Sequence, residues 1–242
     1  MFIGRLVVLA VATATGCSAF QRRAPDWAGG PARMVVLPAS VEMVQIDAVG
    51  VRSTEPAWAL AVSENLDPEV ARLAGVHGAT PFSFNKVRDC GEPCMSLLPE
   101  FLNWGRASTL EIAARILRHG DRREHSVTEW QSRRDFAPLR KALGVDLVLF
   151  VVVRELDETA GRVAGRILAA ETVGLMASCL LFQTDLGVKQ LGAACLARLG
   201  DGRMLWCDTV INMGRDLREA AGARVLARYL LEDLWSPRSV RR

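Results

Sequence analysis

Seven consecutive apolar residues, Leu147-Val148-Leu149-Phe150-Val151-Val152-Val153, stand between Asp146 and Arg154. Most are β-branched or aromatic, and the run is too short for a core helix, so it predicts a strand. A strand without alternation must be covered on both faces, which demands helices above and below a sheet containing parallel pairs. The run is therefore the expected sheet centre, ended by Arg154-Glu155. It predicts a single α/β domain with a mixed sheet of about four to six strands flanked by helices.

The neighbouring patterns fit that frame. Met34-Val35-Val36-Leu37 is a β-branched run stopped by Pro38, and a second strand is expected over Val41 to Ile46. Pro56-Ala57-Trp58 opens a helix to about Glu64, and Asp67-Pro68-Glu69 restarts it through Gly75, with Asp67 as the cap. His77 to Trp104 is punctuated by glycine and proline and is expected to be irregular, with a short strand over Pro81 to Val87. Ser108-Thr109-Leu110-Glu111 has capping-box spacing and predicts a helix starting there and running to Gly120. Charged residues dominate Asp121 to Arg134, which is read as a loop. A short helix over Pro138 to Leu143 should close at Gly144. Leu191 to Leu199 and Met204 to Ile211 flank Gly200-Asp201-Gly202-Arg203 and predict a hairpin. Helical spacing returns over Leu217 to Leu234.

Residues 1–16 carry a different message. A lone Arg5 precedes an uncharged apolar run from Leu6 to Ala14, too short to cross a bilayer of about 30 Å, and small residues follow. This is an export signal. The string Ala14-Thr15-Gly16-Cys17 resembles the lipobox of bacterial lipoproteins, in which the cysteine receives a diacylglyceryl group, cleavage falls before it and the new amino end is acylated. Ala14 departs from the leucine usual at its position. The resemblance implies a chain that begins at lipidated Cys17, continues through a flexible tether over 17–32, folds over 33–235 and ends in a basic tail over 236–242.

Half of the chain is apolar and 24% is charged, the balance of a globular domain rather than a disordered or multi-span one. Its net charge of +3 is too even to argue for nucleic acid, which is not expected as a partner. Five cysteines follow Cys17. Cys90 and Cys94 are close enough across Gly91-Glu92-Pro93 for a structural disulfide, with free buried thiols or thiol chemistry as the other readings. Cys195 and Cys207 face one another only if the hairpin loop has three residues, so their disulfide depends on register. Cys179 remains.

The usual catalytic signatures are missing from the sequence. There is no Gly-x-Ser-x-Gly elbow, no phosphate loop ending in Gly-Lys-Ser/Thr and no paired histidines at metal spacing. His119, Asp121, Glu124 and His125 form the one titratable cluster, and they read as a solvated loop before an active site. No cofactor and no metal are expected, and the chain is read as a non-enzyme. Thr159 to Phe182 is mostly small and apolar but carries Arg162, Arg166 and Glu171. It is either a helix packed on the sheet or an insertion that meets a membrane or a neighbouring subunit.

The Met34 to Pro38 run, the Asp146 to Val151 strand with Ala160-Gly161-Arg162 beyond it, and the hairpin arm from Gly202 to Trp206 together resemble a group of exported proteobacterial lipoproteins. More distantly, the order of elements is similar to the periplasmic domains of the curli secretion lipoprotein CsgG and of the cell-wall synthase activator LpoB. The resemblance implies an α/β domain that works by contact or assembly, held to the outer membrane on its periplasmic face by palmitate-type acylation of Cys17. Ser18 is not the aspartate that retains enterobacterial lipoproteins at the inner membrane. An interaction or assembly factor of the cell envelope is the expected role, with envelope proteins as partners and a homo-oligomer open. An oligomeric secretion-channel component using residues 159–182 is the alternative, and a periplasmic hydrolase the third reading.

Overall fold

The computed structural model describes residues 33–47, 49–119, 131–132, 135–158 and 189–235. Its strands are β1 (Met34–Val36), β2 (Ser40–Ile46), β3 (Arg52–Thr54), β4 (Thr80–Pro81), β5 (Leu147–Glu158), β6 (Gln190–Arg198) and β7 (Arg203–Ile211). Its helices are α1 (Pro56–Gly75), α2 (Phe84–Cys90), α3 (Glu92–His119), α4 (Ala137–Leu143) and α5 (Ala220–Trp235).

β5 organises the sheet. Along one edge it pairs antiparallel with β6, which pairs antiparallel with β7. Along the other it pairs parallel with β1 over its first residues and with β2 over its last. Short β4 lies outside β1 and short β3 outside β2. Thus β1 and β2 are two halves of one edge. Val36 faces Leu149 and Ser40 faces Val152, so one side advances four residues while the other advances three. The surplus residue is a bulge at Leu37 to Ala39, and it accommodates Pro38, which has no amide to give a ladder.

The mixed α/β architecture is as the apolar run demands. The odd residues Leu149, Val151 and Val153 face α1 and α5, while Val148 and Phe150 face α2, α3 and α4. All seven residues from Leu147 to Val153 are buried. At about 1.5–3 kcal/mol for each large side chain, that gross burial matches the net stability of a whole domain. Among the described residues seven strands form rather than four to six, because β3 and β4 are too short to show alternation.

Several expectations are corrected. β5 does not stop at Arg154-Glu155 but runs to Glu158, since Arg154 finds Glu42 across the ladder and Glu155 finds Gln190. One continuous helix spans Pro56–Gly75, with Pro68 inside it. Asp67 does not cap a second piece: its Oδ1 accepts the Ala39 amide at 2.7 Å. The irregular stretch expected over His77 to Trp104 is largely helical, and the strand expected over Pro81 to Val87 gives way to α2 after two residues of β4. Ser108 does not begin a helix. It lies inside α3 and is buried with Thr109. Glu92 begins α3, and Pro93 falls in the first turn, where a helix needs no amide. Gly105 lets α3 press onto the sheet, where an added Cβ would overlap the Phe150 ring. As expected, Gly144 closes α4 in the left-handed conformation, with φ 66°.

Candidate functional site at the carboxyl end of the central strand

Beyond its apolar run β5 turns polar: Arg154, Glu155, Leu156, Asp157, Glu158. The alternation of a strand sends these side chains to opposite faces. On the α3 face Glu42 takes two arginines. Arg106 reaches its Oε2 at 3.3 Å, and Arg154 Nε lies 3.7 Å from the same oxygen.

On the other face Glu155 meets Gln190, its register partner in β6. Gln190 Nε2 donates to Glu155 Oε1 at 3.1 Å and to the Arg215 carbonyl at 2.6 Å. Glu155 Oε2 is buried without a hydrogen-bond partner among the described residues. Burial is the main influence and pushes the Glu155 carboxyl above the usual carboxylate range, and nearby Asp216 and Asp157 add to it; the Gln190 bond and the Arg218 charge pull the other way.

Arg218 is fixed beside this pair. Its Nε and Nη2 donate to the two Asp216 oxygens at 2.8 and 2.9 Å, which lowers the Asp216 pKa. The guanidinium also lies 4.7 Å from the centre of the Trp58 ring in the first turn of α1. Asn65 Nδ2, also on α1, donates to the Arg218 carbonyl at 2.8 Å. The cluster joins α1, β5, β6 and the segment entering α5.

These contacts hold the two ends of residues 159–188 together. Leu156 donates its amide to the Lys189 carbonyl at 2.7 Å, and Lys189 Nζ lies 3.5 Å from Glu158 Oε2. Asn212 Oδ1 accepts the amides of Lys189 and Gln190 at 2.7 and 3.2 Å. Asn212 sits at φ 46°, a region asparagine tolerates better than most residues. Because β5 and β6 are antiparallel neighbours, the chain leaves at Glu158 and returns at Lys189 beside it. An ordinary two-residue turn would connect such strands. Here thirty residues, 159–188, do so.

The side chains at this end provide one carboxyl of raised pKa already bonded to an amide, and one guanidinium already paired. They are equipped to hold chain segments in place. Among the described residues no group of three or more His, Cys, Asp or Glu is arranged to hold a metal.

The cysteines expected to pair are joined in the structure. The Cys90–Cys94 bridge has its Cα atoms 5.8 Å apart and ties the end of α2 to the first turn of α3. Cys195 and Cys207 are also bridged, at a Cα separation of 4.0 Å. The loop between paired Arg198 and Arg203 has four residues, not three. A bulge at Leu205 adds the missing step, so that Leu196 faces Trp206 and Cys195 faces Cys207. Of the His119 cluster, His119 ends α3; Asp121, Glu124 and His125 lie outside the described residues, as do Cys17, Cys179 and the whole of 159–182. No helix of the described residues is long and apolar enough to cross a membrane.

Sequence reasoning missed Trp58, Glu155, Gln190, Asp216 and Arg218. The one available signal was the charged extension of an apolar strand, which reads as a stop. No protein-family model matches this chain, and no curated protein and no solved structure matches it.

Proposed function

We propose that this chain is a lipoprotein, anchored to the outer membrane through Cys17 on the periplasmic face, and that it serves as an interaction or assembly factor for envelope proteins. The lipobox-like string and the resemblance to exported lipoproteins support the anchor. One relationship in the fold carries the role: Arg33, which follows residues 17–32, and Glu158 and Lys189, which flank residues 159–188, lie at opposite ends of β5. The Arg33 carbonyl accepts the amides of Asp146 and Leu147, at the start of β5. Glu158 and Lys189 lie at its far end; Glu158 closes the 12-residue strand, which spans roughly 36 Å.

A coil of sixteen residues, the length of 17–32, has a typical end-to-end reach of about 22 Å. That is shorter than the strand. A domain held at Arg33 therefore turns Glu158 and Lys189, the residues that flank 159–188, away from the anchoring bilayer and toward a partner. Fully drawn out, the tether spans about 55 Å, so the reverse orientation is costly rather than forbidden. The alternative, an oligomeric secretion component that inserts this segment in a membrane, is favoured by one observation. An apolar excursion whose two ends meet is suited to entering a bilayer as a hairpin.

Replacing residues 159–188 with Asn-Gly tests the reading in membranes solubilised with mild detergent. The shortened domain should keep its thermal midpoint and lose the proteins that co-purify with the full chain. Unchanged co-purification would refute this placement of the contact. Size-exclusion chromatography at far above monomer mass, lost on the same replacement, would favour the oligomeric alternative. Mass spectrometry showing an unacylated Cys17 would remove the anchor.

A further inference from the structure

The two disulfides sit in different surroundings. Cys195 and Cys207 are fully buried on the α3 side of the sheet, at 0% and 1% exposure. Cys94 is equally buried at 0%, but its partner Cys90 is only partly so, at the mouth of the α2–α3 elbow between exposed Asp89 and half-buried Gly91. Of these four residues Cys90 alone has appreciable surface in solvent, so an arriving thiolate meets it first. Access then selects the sulfur attacked.

The buried side of the bridge has a second feature. Cys94 Sγ lies 3.5 Å from the Pro138 carbonyl oxygen, at the start of α4. A disulfide sulfur has no proton to offer that acceptor. A thiol has one, so reduction adds a hydrogen bond here that the bridge cannot make.

We propose that Cys90–Cys94 is a thiol-exchange site whose substrate is a dithiol reductant. One thiolate of the dithiol attacks Cys90 Sγ, the Cys90–Cys94 bond breaks, and its electron pair leaves on Cys94. That sulfur takes up the proton the attacking thiol gave to solvent, and the resulting S–H donates a hydrogen bond to the Pro138 carbonyl oxygen. The second thiol of the reductant then attacks the mixed disulfide, releasing Cys90 as a thiol and leaving the reductant as a cyclic disulfide. The protein gains two electrons and two protons, and the dithiol loses both.

Reduction unlatches α2. This helix has seven residues, far below the length that is stable alone, and Val87 is its one fully buried side chain. Besides the main chain through Gly91, the bridge to α3 is the one covalent cross-link that fixes its angle to the rest of the domain. Opening it frees α2 while the sheet, with Cys195–Cys207 closed across β6 and β7, stays intact.

The test uses the native full chain in graded dithiothreitol, trapped with an alkylating reagent and mapped by peptide. Cys90 and Cys94 should be labelled at least about ten times faster than Cys195 and Cys207. With glutathione, a monothiol, the mixed disulfide should appear on Cys90 and not on Cys94. Hydrogen exchange over residues 84–95 should quicken after reduction while β5 and β6 stay protected. Equal labelling of both pairs, an adduct on Cys94, or unchanged exchange over 84–95 would each overturn the proposal. The C90S/C94S variant gives an independent reading: it should exchange over 84–95 like the reduced wild type, and protection like that of the oxidised protein would count against the latch.

Discussion

The amide of Ala39 donates to the carboxylate of Asp67 at 2.7 Å, fastening the bulge between β1 and β2 to the middle of α1. Asp67 is half-buried, and burial raises its pKa despite that bond. Two substitutions separate charge from acceptor. Asp67→Asn keeps an oxygen for Ala39 and should match or exceed wild-type stability at pH 7. Asp67→Ala leaves the amide unpaired and should cost about 1–3 kcal/mol in urea unfolding.

The carboxyls also set a pH profile. Asp67 and Glu155 have raised pKa values, so the stability they contribute is fully present below their unfolded values and is lost as pH rises through the folded ones. Glu69, bonded to Arg224 and Arg72, and Asp216, bonded to Arg218, are lowered. Their contribution is present above the unfolded values and is lost as pH falls through the folded ones. The contribution of these four groups should therefore peak near the ordinary carboxylate range, at about pH 4. Glu155→Gln should flatten the fall from that peak toward pH 7 in thermal scans, because the glutamine can still accept from Gln190. A steeper fall in the variant would contradict the sign.

Gly105→Ala drives a methyl into the Phe150 ring, which is held by Phe101 and Trp104. Overpacking costs about 1–3 kcal/mol, against about 1 kcal/mol gained in helix propensity. We expect net destabilisation. Adding Phe150→Leu should make the pair less destabilising than the sum of the two single changes, and a double-mutant cycle with zero coupling would show that the contact is not felt.

The bridges should differ in what they contribute. Loop-closure entropy gives about 3 kcal/mol for Cys195–Cys207 and about 2 kcal/mol for the shorter Cys90–Cys94 loop. C195A/C207A should therefore lower the thermal midpoint further than C90A/C94A. The opposite order would mean that the elbow carries more of the fold than its position implies.

The sheet centre was legible because seven apolar residues in a row leave a strand no solvent face. The ends of elements were not. Pro93 and Pro99 punctuate the chain as a loop would, yet one sits in the first turn of α3 and the other is carried inside it. Ser108 mimics a cap because the pattern records spacing and not where the helix has already begun. Arg154-Glu155 looked like a strand end because their partners, Glu42 and Gln190, are distant in sequence. The same distance hid the polar cluster. Trp58, Glu155, Gln190 and Arg218 come from four separate segments, and only the parallel and antiparallel pairing around β5 brings them together.

The paired course of β1 and β5 has a mechanical consequence. Arg33 enters at one end of the parallel ladder that β1 and then β2 make with β5, and Glu158 leaves at the other, opposite Ile46. A pull applied between Arg33 and Glu158 runs along that ladder and loads its hydrogen bonds in shear. Bonds loaded that way must yield together, whereas peeling breaks them singly. The domain is strung to bear tension along its own long axis.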